Sequence, residues 1–189
     1  MLEEAELELA GLREKLKAPA ESVPVAGTRS NLLTDPEQFK TGKPALVTAY
    51  HGTDEEGIKG SAFAPSFGGA LTNALSAQRG YFFAGSPITP WRYARTHMIN
   101  ANLSKKGKVF KFFVKFQNPF VYDMNGSTYR EQTYADLMGQ AKRAGHDGVI
   151  ILNTFDGATL DTIFTVLHGY ENQIKSAEPK VYTENKQEI

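Results

Sequence analysis

Tyr50-His51-Gly52-Thr53 decides the reading of this chain, taken together with Gly80-Tyr81-Phe82-Phe83-Ala84 and with Tyr93 further on. Ala45–Tyr50 reads as a short strand that delivers His51 into a Gly-Thr turn. Tyr81–Ala84 reads as a short aromatic strand ending in Gly85-Ser86-Pro87. Pro90 suits the first turn of a helix running to about Asn100, which presents Trp91, Tyr93 and Ala94. A lone histidine after a strand is more often structural than functional, but the glycine beside it lets a ligand approach the backbone closely. Tyr81 and Tyr93 are each ordinary core residues taken singly. Across a strand–turn–helix step they can face each other over a flat ring.

Further along, Lys108–Gln117 is the clearest strand. Phe110, Phe112, Val114 and Phe116 alternate with Lys111, Phe113 and Lys115, a period of two that buries one face. Asn118-Pro119 ends it, and Val121–Asp123 is a short continuation. Tyr129–Ala144 is an amphipathic helix with Tyr134, Leu137, Met138 and Ala141 at helical spacing, closed by Gly145. Val149–Leu152 is wholly apolar and reads as a central strand. Asn153–Leu160 reads as a turn-rich loop, Thr162–His168 as the last strand and Glu171–Ala177 as a turn. Strands outnumber helices, which predicts an α+β domain whose sheets pack on one another with helices to one side.

Before this domain, Leu2, Ala5, Leu9, Leu12 and Leu16 line one face of a helix over residues 1–17. Pro19, Pro24, Gly27, Pro36, Gly42 and Pro44 then mark an arm. The expected organisation is therefore a helix and arm over 1–44, a folded domain over 45–177 and a polar, poorly ordered tail over 178–189. Gly57–Gly69, with four glycines around Phe63 and Phe67, reads as a long loop of the kind that lines or covers a site.

The 189 residues, 41% hydrophobic, suffice for one good core. With 21 basic and 21 acidic residues, composition gives no support for a nucleic-acid or membrane-surface protein. No cysteine means no disulfide, thiolate metal site or cysteine nucleophile, and fits a reducing cytosol. No apolar run is long enough for a membrane helix, and the Glu-rich start is not a signal peptide. His97, His146 and His168 lack ligand spacing, so no metal site is expected. Ser86 is not in a nucleophile elbow, and Lys105-Lys106-Gly107-Lys108 is a solvated loop.

His51-Gly-Thr, Gly80-Tyr81-Phe82-Phe83-Ala84 and Tyr93 resemble the histidine–tyrosine–glutamate class of ADP-ribosyltransferases, that of diphtheria toxin and the poly(ADP-ribose) polymerases. Asn118-Pro119-Phe120-Val121-Tyr122-Asp123, Ala144-Gly145-His146-Asp147-Gly148-Val149-Ile150 and Gln173-Ile174-Lys175-Ser176-Ala177 are similar to such domains in phage and mobile-element polyvalent proteins. The six pieces fall in the family's order over residues 45–177.

The resemblance implies packed β-sheets with flanking helices around an NAD cleft. It implies that His51 hydrogen-bonds the ribose next to adenine, that Gly52 offers its backbone to the carboxamide, and that Tyr81 and Tyr93 sandwich the nicotinamide. Thr53, Phe82, Phe83 and Ser86 complete the cofactor-binding stretch. The family's third catalytic residue, a glutamate opening the last strand, is missing. Asp161 stands first as its replacement, with Glu171, Thr165 and Gln173 as alternatives.

The implied activity is mono-ADP-ribosylation. NAD is consumed, nicotinamide is released, and the acceptor is a protein, most readily one of a bacterial host, with a nucleic-acid acceptor left open. That is the profile of a toxin-like effector working in the bacterial cytosol, with no membrane partner. Three rival readings stay open: NAD hydrolysis with water as acceptor, a degenerate module of the same fold that binds without turnover, and a structural virion or interaction domain.

Overall fold

The computed structural model describes residues 34–53, 74–100, 108–157 and 159–180. The chain divides into two units, Met1–Asn31 and Leu32–Ile189, and every described residue belongs to the second. The expected helix over 1–17, the loop Gly57–Gly69, the basic loop 105–107 and the end of the tail from 181 lie outside the described residues.

Among these described residues seven strands form one mixed sheet: β1 (Ala45–Thr53), β2 (Gly80–Ala84), β3 (Lys108–Phe116), β4 (Pro119–Asp123), β5 (Gly148–Asp156), β6 (Thr159–Leu167) and β7 (Ile174–Lys180). Among the described residues two helices accompany them, α1 (Ile88–Asn100) and α2 (Glu131–Arg143). The spatial order is β4-β5-β6-β2-β1-β3-β7. Only β4 and β5 run parallel, joined by α2 as a crossover; the other neighbours are antiparallel. The α+β class stands. The expected separate sheets are one sheet whose halves, β4-β5-β6-β2 and β1-β3-β7, meet at the register pair Tyr50↔Ala84.

The halves nevertheless close on each other. Strands sit about 4.8 Å apart, so Phe116 on β3 and Phe164 on β6, three strands away, would be about 14 Å apart in a flat sheet. Their rings are 6.4 Å apart. The sheet therefore curls about the face carrying Val47, Ala49, Tyr81, Phe83, Phe112, Val114, Ile150, Leu152 and Val166, which form the larger core. The opposite face carries Ala84, Val149, Ile151, Ile163 and Leu167 against Tyr134, Leu137, Met138 and Ala141 of α2.

β1 follows the same alternation. Val47 and Ala49 point into the larger core, while Tyr50 shares the helix side with its partner Ala84. Gly52 is of the same parity as Tyr50, and α1 rests there: a Cβ on Gly52 would lie 2.0 Å from the Pro90 carbonyl oxygen. Glycine at this position serves the close approach of a helix.

Two expectations fail for identifiable reasons. Asn153–Leu160 is not a loop; it is the end of β5 and start of β6, paired through Thr154↔Asp161 and Asp156↔Thr159. A bulge after Ile151, with Asn153 at φ 51°, breaks the alternation that would have marked the strand. Glu171–Ala177 is a short 3₁₀ turn, Glu171–Gln173, followed by β7. β7 is an edge strand with Pro179 in it, so it carries no two-sided apolar pattern.

Candidate functional site

β1 and β2 part company after Tyr50↔Ala84, and His51 stands at that point. Its Nδ1 lies 2.7 Å from the Phe82 carbonyl oxygen, and its ring centroid lies 5.6 Å from that of Phe83. A carbonyl only accepts, so Nδ1 carries the proton and Nε2 is the acceptor atom of a neutral ring. Burial lowers the pKa of His51, against the raising effect of the Phe82 carbonyl, which keeps the ring neutral. Phe82 thus contributes its carbonyl. Its side chain goes to the helix side and stacks parallel to Tyr134. Phe83 belongs to the larger core, edge-on to Phe112. Thr53 ends β1 opposite Lys108.

Tyr81 projects from the same face as Phe83 and is 5% exposed. Its ring meets His168 edge-on at 4.9 Å. Desolvation, then the charge and hydrogen-bonding reach of Glu171, push its hydroxyl up to about 12, so it faces Glu171 as a neutral phenol. Glu171 arrives there by topology. β6 pairs with β2 and β7 with β3, so the link between them, residues 168–173, must pass from one half-sheet to the other. The Gly169 amide donates to both carboxylate oxygens of Glu171, at 3.0 and 3.1 Å. His168 Nδ1 lies 3.7 Å from Oε1. Desolvation pushes the Glu171 pKa up, but these donors outweigh it and the carboxyl sits below its usual range. Histidine, tyrosine and an ionised carboxylate are therefore gathered on the curled face, His51 at the split and Tyr81 with Glu171 along it.

Asp161 has a different task. It is 1% exposed on the helix side of the sheet. Its carboxylate accepts from Ser86 N at 3.1 Å, Ser86 Oγ at 2.6 Å, Thr89 Oγ1 at 2.7 Å and Thr162 N at 2.8 Å. This set fastens the start of α1 to β6 and engages both oxygens. Ser86 is likewise part of that anchor.

Tyr93, one turn beyond Pro90, sends its hydroxyl to Asp156 Oδ1 at 2.6 Å. Asp156 faces the helices because the bulge at Asn153 shifts the strand's parity. Burial raises its pKa, the Tyr93 bond opposes this, and the neighbouring Asp161 adds to it. Tyr81 and Tyr93 thus belong to different clusters, one on the curled face with His168 and one beside Asp156 on the helix side. The facing pair expected from sequence is not formed, because strand alternation and the Asp156 and Asp161 anchors direct the two rings to different sides.

Thr165 is fully buried in the middle of the sheet, its hydroxyl accepting from Val149 N at 3.1 Å. Gln173 Nε2 donates to Asp147 Oδ2 at 2.8 Å. Both side chains are engaged in the fold's own hydrogen bonds. His168 was set aside in the sequence as one of several scattered histidines, and its position three residues before Glu171 is the one cue to its role. Nothing in sequence marks Asp156. Among the described residues no three His, Asp or Glu side chains gather as a metal would require, and no described helix is long and apolar enough to cross a membrane.

No protein-family model and no curated protein matches the chain. Among solved structures, the crystal structure of the M. tuberculosis MbcT–MbcA toxin–antitoxin complex is similar over 75% of this chain and 87% of that one, at 12% identity and a TM-score of 0.47. A likeness at that level assigns neither family nor chemistry to this chain.

Proposed function

We propose that the chain binds NAD at the split between β1 and β2 and transfers ADP-ribose to a protein, with Glu171 as the acid in place of the missing glutamate. The observation that carries this reading is the placement of His51, held at the split by the Phe82 carbonyl, on the same curled face as Tyr81 beside His168 and Glu171. In this scheme His51 Nε2 accepts a hydrogen bond from a ribose hydroxyl, with the ring fixed by Phe82. Glu171 supplies negative charge as the bond between nicotinamide and ribose breaks and the sugar carbon becomes oxocarbenium-like. The nicotinamide leaves with the bonding electrons, and the acceptor's nucleophile forms the new bond to the same carbon. Tyr93 stays on the helix side of the sheet with Asp156 and takes no part in this scheme. Asp161 holds α1 in place and touches no substrate.

The test is incubation with NAD, following free nicotinamide by chromatography, with and without bacterial lysate. Glu171→Gln should lower release on the order of 10²-fold, as loss of a transition-state charge does. His51→Ala should weaken NAD binding, and Asp161→Asn should act only through stability. Release that survives Glu171→Gln would overturn the assignment of the acid. A second reading, a module that binds without turnover, is favoured by the near-complete burial of Tyr81 under His168. It predicts a thermal shift with NAD and no nicotinamide.

A further inference from the structure

Among the described residues, the helix layer does not extend over the whole outer face of the sheet, and Leu46 and Phe113 on it are exposed. α2 covers β5 and β6, and α1 covers the Gly52 end of β1, but the outer face of β1-β3-β7 beyond Tyr50 has no described element on it. The cross-strand pairs place Leu46 beside Lys115, Thr48 beside Phe113, Tyr50 beside Lys111 and Phe113 beside Lys175, all on this one face. Leu46 is 71% exposed and Phe113 42% exposed. Lys111 Nζ sits over the Phe113 ring, 5.6 Å from its centroid. These strand positions include three lysines and no carboxylate, in a chain whose total charge balances.

We propose that this face docks an acidic amphipathic helix of a partner protein. A sheet face with apolar side chains is completed by a helix or a second sheet, and the rest of this face is already helical. Charge selects an acidic occupant. Lys111 and Lys115 are about 13 Å apart along the strand. Carboxylates two turns apart on a helix are separated by about 11 Å and can meet both. Leu46 and Phe113 between them take the apolar stripe, the arrangement of helix-on-surface recognition. A single-stranded nucleic acid fits less well, because stacking platforms use successive aromatic rings and here an aliphatic Leu46 is the most exposed apolar group.

The experiment uses the full chain and three probes: a synthetic helical peptide with a leucine stripe flanked by glutamates, the same peptide with lysines in their place, and an oligothymidylate. Fluorescence anisotropy at low and moderate salt reads binding. The glutamate peptide should bind and the lysine peptide should not, with affinity falling at least about tenfold in Lys115→Glu/Lys175→Glu and in Phe113→Ser. All three positions are exposed, and Leu46→Ser provides an independent apolar variant; thermal melts check that each remains folded. Glutamate-peptide binding unchanged by these substitutions would overturn the proposal. So would Phe113-dependent binding of the oligothymidylate alone, or a dimer that Phe113→Ser dissociates, which would make the face a self-interface.

Discussion

His51 donates from Nδ1 to the Phe82 carbonyl and is kept neutral by burial, so folding and protonation of this ring oppose each other. The sign follows directly. An unfolded chain takes up a proton on histidine below about pH 6.5, whereas the folded chain does so only at lower pH. The unfolded state therefore binds more protons, and stability falls as pH drops below about 6.5, by at most about 1.4 kcal/mol per pH unit from this group. His51→Asn keeps a donor for the Phe82 carbonyl and removes the titration. Urea melts from pH 7.5 to 5.5 should show wild type losing stability relative to the variant over that range; parallel curves would mean the folded ring titrates normally. Glu171 is the opposite case. Its pKa is depressed in the fold, so its contribution is present at neutral pH and is lost only as pH falls through the depressed value.

Among the elements, α1 shows how a polar anchor replaces an apolar one. Its described side chains bury little: Thr89, Pro90 and Ala94 are buried, while Arg92 and Tyr93 are exposed. The helix is held by Asp161 through Ser86 and Thr89 and by Asp156 through Tyr93. Asp161→Ala leaves Ser86 N, two hydroxyls and Thr162 N without their acceptor, and should cost about 3 kcal/mol. Asp161→Asn keeps one acceptor oxygen and should cost roughly half as much. Thermal melting reads the difference, and equal losses for the two would mean that the hydrogen bonds are not what holds the helix. This anchor was hidden in the sequence because Asp161 read as the entrance of a strand beside a loop. The bulge at Asn153 breaks the alternation of the hairpin that carries Asp156 and Asp161 under α1, so the sequence shows no strand pattern there. β3 and α2, by contrast, were legible, because each buries one regular face: Phe112, Val114 and Phe116 at period two, Tyr134, Leu137, Met138 and Ala141 at helical spacing.

At the scale of the molecule, three of the six sequence pieces meet at one carboxylate that is not in the candidate site. Asp147 Oδ2 accepts from Gln117 N at 2.6 Å, Asn118 N at 3.0 Å and Gln173 Nε2 at 2.8 Å, joining the ends of β3, β5 and β6–β7. The Asn118-Pro119, His146-Asp147-Gly148 and Gln173-Ile174 pieces are thus one fastening of the sheet, a task that asks for backbone donors and one carboxylate and involves no substrate. Residues 34–44, read from sequence as arm, are a second fastening. Thr34 Oγ1 meets Thr162 Oγ1 at 2.6 Å, and Phe39 stands edge-on to Phe164 at 6.2 Å. Thr41 Oγ1 accepts from Val121 N at 2.9 Å, and Gly42 N donates to Pro119 O at 2.8 Å, covering the outer edge of β4. Phe39 and these bonds together are worth on the order of 4 kcal/mol. A chain beginning at Ala45 should therefore melt about 10 °C below one beginning at Leu32. It should also self-associate as protein concentration rises, because an uncovered edge strand presents its amides to another copy. Equal melting temperatures would show that residues 34–44 lie on the sheet without holding it, and concentration-independent melting would show that β4 needs no cover.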